Sequence, residues 1–428
     1  MNMEITVGTL AVIFLFAVFC CFFYYFCAKH YCKNMIKELT LINWKSFSNS
    51  TLYIDPLTFI IGTNASGKSN ILDALSFLCD LANGKRISEA VERVRGGEDW
   101  IVRKGQISLT LKVVAEYDSN IDYEYSLDLS KTENGLDITG ERLILLKGGS
   151  QKLLFEIYDS TLGSPTVDVR FYTAKPGHRR RMFLDRSKIV LSQIDSLVVL
   201  KLVKDAAVVV ARSLSEIFIL NPIPNNMRQY VRLSDVFKND ASNIAGVLAG
   251  MDSENKGNIE KKLSDYLRPL PEKDINKVWA EPVGKFGSDA MLYCEEQWTA
   301  EETTVLDARG MSDGTLRFIA IVMAILTAKE NSLLVIEEVD NGLHPSRSQE
   351  LVNMLKRLGE ERKVDILCTT HNPSLIDKLG VEMIPFICFI KRNNADGSSA
   401  IRLLEDKDGL GKLMASNTLG DLMKKDEL

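Results

Sequence analysis

The first apolar stretch of the chain has no polar interruption. Residues 5–28, ITVGTLAVIFLFAVFCCFFYYFCA, run 24 positions without a charge. At about 1.5 Å rise per residue, such a helix spans roughly 36 Å, enough for a hydrocarbon core of about 30 Å. Downstream the pattern changes. Residues 36–62 hold two strand-like runs, IKELTLINW and LTFIIG, with a turn expected around Ser48, Asn49 and Ser50. Helical spacing follows from Ser69 to about Asp80, with Ile71, Leu72, Leu75 and Leu78 on one face. Residues 107–173 alternate in short runs between polar, glycine-containing turns, the mark of an antiparallel meander. Residues 188–218 predict helix, and a less regular, largely helical stretch runs to about 275. From about 313, helix and strand alternate three times, which implies a parallel sheet. A short strand pair and a tail are expected after about 385. The fold class is therefore α/β with a mixed sheet. An antiparallel β subdomain (about 107–175) and a helical lobe (about 187–300) are set into it.

Flanking charge orients the apolar segment. Only Glu4 precedes it, whereas Lys29, Lys33, Lys37 and Lys45 follow. An excess of lysine on one side predicts a single-pass membrane anchor (residues 1–33), N-terminus outside and the body in the cytoplasm, as on a bacterial inner membrane. A cleaved signal peptide would need a basic start, a shorter apolar core and a small-residue cleavage site. The chain ends in Lys425-Asp426-Glu427-Leu428, the letters of an ER-retention address. On the cytoplasmic side no lumenal receptor reads it, so it is taken as coincidence. Net charge is −5, which argues against a generally basic nucleic-acid binder. The eight cysteines form no CxxC pair and no zinc-like spacing, and read as free thiols.

The chemistry is concentrated in a few strings. Residues 62–69 read G-T-N-A-S-G-K-S between an apolar strand and an amphipathic helix. Gly62 and Gly67 let the backbone curl, so that N–H groups around Asn64 and Ser66 face phosphate oxygens. Lys68 is placed to reach the β- and γ-phosphates and Ser69 to ligate Mg²⁺. Residues 333–338, L-L-V-I-E-E, put two carboxylates at the tip of a buried strand. Glu337 is assigned to the Mg²⁺ shell and Glu338 to deprotonation of an attacking water. Ser312, Asp313 and Gly314 open an apolar helix and offer a second phosphate-binding helix start. The strand ILCTT delivers His371 to the same sheet edge, as a contact for the γ-phosphate.

These strings, IIGTNASGKSNILDAL, MSDGTLR, LLVIEEVDNGLHP and CTTHNPSLID, resemble ABC-type ATPases of the RecF/OLD/SMC-like branch. Within it they are similar to AAA-like ATP-binding proteins of bacterial anti-phage systems. The resemblance covers about residues 36–428. It implies an ABC-type head that binds ATP and Mg²⁺, and a homodimer or higher oligomer that sandwiches two ATP molecules. The P-loop of one subunit, with Asn70, would face Ser312, Asp313 and Gly314 of the other. Asp340 would lie at the dimer seam, and Lys45, in Asn43-Trp44-Lys45, would touch nucleotide. The Q-loop residue is read as Gln193, with Gln106 as the alternative. Val339 and Asn372 replace the branch's usual proline and serine without removing a group that hydrolysis needs.

On this reading the chain is a membrane-anchored ATPase with a regulatory or sensing role in defence, and any nuclease or toxin is a separate effector. Fifty-seven residues after His371 are too few for the OLD-type nuclease domain. The alternatives are a slow nucleotide-gated scaffold holding an effector, and a RecF-like DNA-repair ATPase. The basic run at residues 178–181, with Arg186 and Lys188, offers charge to nucleic acid. It lacks interleaved aromatics and reads first as a solvated loop or as salt bridges within a dimer.

Overall fold

A computed structural model describes residues 35–425, except 134, 176, 270–274, 298, 300 and 301. The apolar segment at 5–28 and the last three residues lie outside the described residues. Among the described residues, no helix is long and apolar enough to cross a membrane.

Five short parallel strands form the centre of the site. They are β3 (Leu57–Ile61), β10 (Phe218–Leu220), β15 (Leu333–Ile336), β16 (Asp365–Thr370) and β17 (Ile387–Arg392). They lie in the order β10-β15-β16-β3-β17. Their residues alternate between two cores. Phe59, Ile61, Leu334, Ile336, Ile366 and Cys368 face one. Ile60, Leu333, Val335 and Leu367 face the other. A strand buried on both faces reads as a continuous apolar run, because period-two alternation is invisible when neither side is wet. Helix α1 (Lys68–Ala82) buries Ile71, Leu72, Leu75 and Leu78 in the second core. The helices at Asp313–Thr327 and Ser348–Arg362 cover the first.

Beyond β17 the sheet continues through β18 (Ser399–Leu403), β2 (Phe47–Tyr53) and β1 (Met35–Trp44). It then runs into the meander β4 (Ser108–Asp118), β5 (Ile121–Thr132), β6 (Gly135–Lys147), β7 (Ser150–Asp159), β8 (Thr166–Tyr172) and β9 (Arg179–Asp185). The meander is thus one sheet with the parallel core, and it runs one strand further than the periodicity shows. The basic run belongs to β9, where Arg180 and Arg181 pair with Phe171 and Arg170. One aromatic stacks with it across strands, Tyr172 under Arg179, and on the neighbouring strand Arg170 sits over Tyr158. Arg181 pairs with Asp168, and the buried Arg186 with Asp137 at 2.7 Å.

Two further expectations shift. Ser48, Asn49 and Ser50 lie inside β2, which pairs with β1; Ser50 is buried and Asn49 is exposed. The turn sits at Lys45 and Ser46, where Asn43 and Lys45 take left-handed φ of 52° and 47°. The lobe after residue 220 is not mainly helical. It pairs short strands at Val231–Arg232, Ile275–Val283, Asp289–Gln297 and Thr303–Asp307 in a second sheet.

One buried carboxylate ties the meander to the helical region behind α1. Glu141 on β6 accepts from the Val190 and Leu191 N–H groups at 2.6 and 2.9 Å and from the Tyr125 hydroxyl at 3.0 Å. Burial without a counter-cation pushes its carboxyl up to about 7, despite those three donors. The folded state therefore holds a proton here that the unfolded chain releases near pH 4.5. This group's stabilisation is full below that value and is lost as pH rises to about 7. Its loss is worth about 3 kcal/mol. Glu141→Gln removes the proton site. Urea unfolding of both proteins should move the stability difference toward the variant by about 2.5 kcal/mol between pH 5 and pH 8.

Candidate nucleotide site at the carboxyl edge of the parallel strands

The loop after β3 is shaped by what a side chain would strike. A Cβ on Gly62 would sit 2.8 Å from the Ile390 carbonyl oxygen. One on Gly67, at φ +118°, would sit 2.8 Å from Ser399 Oγ and 3.0 Å from Ser46 Oγ. Only glycine lets the loop close this tightly onto its neighbours. Thr63, Asn64 and Ala65 form the exposed crown, with Ala65 left-handed at φ 62°. Helix α1 starts immediately behind, so its free N–H groups end in the loop.

Two side chains in the loop are prepared for an anion. The Ser66 hydroxyl is buried and has no hydrogen-bond partner. Lys68 is 9% exposed and donates to the loop's own Gly62 and Thr63 carbonyl oxygens at 2.6 and 2.9 Å. Burial lowers its pKa, and the nearby Glu338 carboxylate partly offsets this. A buried ammonium held only by two carbonyl dipoles gains when a phosphate takes their place. Loop, orphan hydroxyl and ammonium fit a nucleoside polyphosphate.

Glu337 and Glu338 follow β15 and point to different partners. Glu337 accepts from Ser69 Oγ at 3.1 Å and from Asn221 Nδ2 at 3.2 Å. It also accepts from both terminal nitrogens of Arg95 at 3.0 to 3.2 Å. Ser69 and Glu337 thus share one point, an oxygen pair that suits Mg²⁺. Glu338 is left-handed at φ 49°, a conformation that costs a non-glycine residue energy and clusters at functional sites. Its N–H donates to Thr369 Oγ1 at 2.9 Å, and Asn341 Nδ2 donates to its Oε2 at 3.1 Å. His371 Nδ1 lies 3.6 Å from its Oε1. The left-handed turn leaves Glu338 beside the exposed His371.

The remaining sequence-read residues take other places. Asp340 is 7% exposed and accepts from Thr370 Oγ1 at 2.7 Å, so its carboxylate anchors the turn instead of facing outward. Asn70 donates to Ser46 Oγ at 2.8 Å, tying α1 to the β1–β2 turn. Gln193 spends its amide on the Asp185, Lys188 and Ile189 carbonyls of its own turn. Lys45 is buried against Asp73 and the Arg95 carbonyl. Ser312 caps its helix through the Thr315 N–H, and the exposed Asp313 holds Arg228 at 2.6 Å. Gly314 packs against the turn after Glu338, where a Cβ would lie 2.7 Å from the Gly342 oxygen.

Three residues at the site were not read from the sequence: Arg95, Asp73 and Asn221. Asp73 carried one signal, a carboxylate on the buried side of α1 between Leu72 and Ala74. Arg95 carried another, a cation directly before Gly96 and Gly97.

A family model described as "AAA domain, putative AbiEii toxin, Type IV TA system" matches residues 57–377. The OLD nuclease of Thermus scotoductus is 22% identical over 392 residues, covering 87% of this chain and 65% of that protein. The DNA replication and repair protein RecF of Natranaerobius thermophilus is 28% identical over 130 residues, 26% of this chain and 33% of RecF. Human structural maintenance of chromosomes protein 2 is 31% identical over 122 residues, 28% of this chain and 10% of its own length. The chain thus spans from about two thirds to a tenth of these relatives. Among solved structures, the Pyrococcus furiosus Smc head domain bound to the C-terminal domain of ScpA aligns at 13% identity and a TM-score of 0.47, covering 89% of this chain and 100% of that chain.

Proposed function

Because the chain belongs to the AAA-domain family described as putative AbiEii toxin, Type IV TA system, we propose that it hydrolyses ATP at the carboxyl edge of its parallel strands. The observation that carries this reading is the convergence of Lys68, Ser69, Glu337 and Glu338 from two segments on one edge. Such an edge is where open α/β sheets bind ligands. Loop N–H groups, Ser66 and Lys68 hold the phosphates. Ser69 and Glu337 hold Mg²⁺, which supplies charge neutralisation between the phosphates when bound. Glu338 accepts a proton from the attacking water, and His371 stands beside it to sense the terminal phosphate.

Family membership and the likeness to RecF and to structural maintenance of chromosomes proteins support a head that works in pairs. The exposed Ser312 and Asp313 supply the second half of the site across a two-fold axis. The uncharged run at 5–28 supports a membrane anchor holding the head at the cytoplasmic face. The toxin–antitoxin description of the family supports a regulatory role in defence beside a separate effector. The nuclease activity in the OLD relative's name is not part of this reading. Light scattering on the full chain in mild detergent tests the pairing. Glu338→Gln, which traps bound ATP, should double in protein mass with Mg-ATP and return to its original mass when ATP is removed. An unchanged mass contradicts the paired site.

A further inference from the structure

Arg95 holds the one carboxylate that the metal needs. Its guanidinium grips both oxygens of Glu337, and Ser69 donates to the same Oε1. Behind it, Arg95 Nε lies 3.4 Å from Asp73 Oδ1, and the Arg95 carbonyl accepts from Lys45 Nζ at 2.7 Å. Lys45 in turn pairs with Asp73. Cations and carboxylates therefore alternate through Lys45, Asp73, Arg95 and Glu337, and Arg95 holds the carboxylate that would ligate a divalent cation beside Ser69.

We propose that Arg95 is a built-in occupant of the metal position, which Mg²⁺-nucleotide must displace, so that the loop carrying it reports whether the site is filled. The inference rests on the ATP reading above.

The loop is built to let go. The Arg95 side chain is 54% exposed, whereas Glu337 is 13% exposed. The arginine can therefore return to water, while the carboxylate, left alone, needs another cation. Gly96 and Gly97, both left-handed at φ 85° and 57°, follow directly and give the loop a pivot. The movement has a fixed stop. Helix Gly97–Ile101 is tied to the β1–β2 turn by Lys45 N–H to the Ile101 oxygen (3.0 Å) and Arg103 N–H to the Asn43 oxygen (2.8 Å). Release of Arg95 frees the glycine hinge, while these two bonds hold the turn that carries Lys45. The exposed Trp100 rides on the same short helix.

Titration calorimetry on the full chain in mild detergent, with ADP in Mg²⁺ and ADP in EDTA, separates a latch from a phosphate ligand. A latch closed in about nine molecules of ten lowers apparent affinity about tenfold. Arg95→Ala should therefore bind Mg-ADP about tenfold more tightly than wild type, and metal-free ADP within about twofold of wild type. Arg95→Lys, which keeps the charge but not the fork, should fall between them. Hydrogen exchange gives a readout independent of affinity: Mg-ADP, but not ADP in EDTA, should speed exchange at residues 93–97 of wild type. If both proteins bind ADP and Arg95→Ala binds Mg-ADP no better than wild type, the latch is wrong and the ATP reading stands. If neither protein binds ADP under either condition, the ATP reading falls and the latch with it.

Discussion

Glu338→Gln should reduce phosphate release about 10²- to 10⁴-fold, the usual contribution of a positioned general base, and leave nucleotide affinity nearly unchanged. The substitution keeps size and shape. Its amide oxygen can still accept from Asn341, and its N–H still donates to Thr369 Oγ1. Only the ability to take a proton is lost. The fall corresponds to roughly 3–5 kcal/mol of barrier. Nucleotide binding should survive because Glu338 does not hold the Ser69–Glu337 pair, which Asn221 supports separately. Phosphate release read beside calorimetric ADP affinity makes the comparison. Equal loss of both would assign Glu338 to binding.

Lys68→Ala should show the complementary loss, with nucleotide affinity falling about 100-fold and turnover falling with it. Charge-assisted hydrogen bonds to phosphate contribute on the order of 1.5–3 kcal/mol each, and one ammonium reaches two phosphates. Without nucleotide the lysine only bridges the Gly62 and Thr63 carbonyl oxygens. Those loop carbonyls can turn to water, so thermal stability should move little. A thermal scan in the same samples separates lost affinity from lost fold. A variant that melts early says the lysine is structural, and one that binds ADP like wild type says the loop is not a phosphate cradle.

The contrast between these two residues and Arg95 shows what the sequence can and cannot display. Lys68, Ser69, Glu337 and Glu338 are legible because their chemistry is local: strand, glycine-rich turn and helix for one pair, and the tip of a buried strand for the other. Arg95 is joined to Glu337 by a fold that brings together residues 242 positions apart, and no local period marks it. Asp340 and Gln193 sit in suggestive strings, yet their side chains are used by Thr370 and by a tight turn. For Gln193, backbone carbonyls that need partners took the amide first. The second sheet was missed because its two nine-residue strands carry polar residues along one side, and the strand at Ile275–Val283 includes a proline. In β9 the arginines hid the strand. Their aromatic neighbours come from β8, and only strand pairing reveals them.

The most direct measurement is phosphate release from the full chain in Mg²⁺ and in EDTA, beside Lys68→Ala and Glu338→Gln at matched protein concentration. The account predicts turnover in wild type that EDTA abolishes and that both variants lose. Turnover that persists in both variants, or wild type that neither binds nor hydrolyses ATP with Mg²⁺ present, would contradict it.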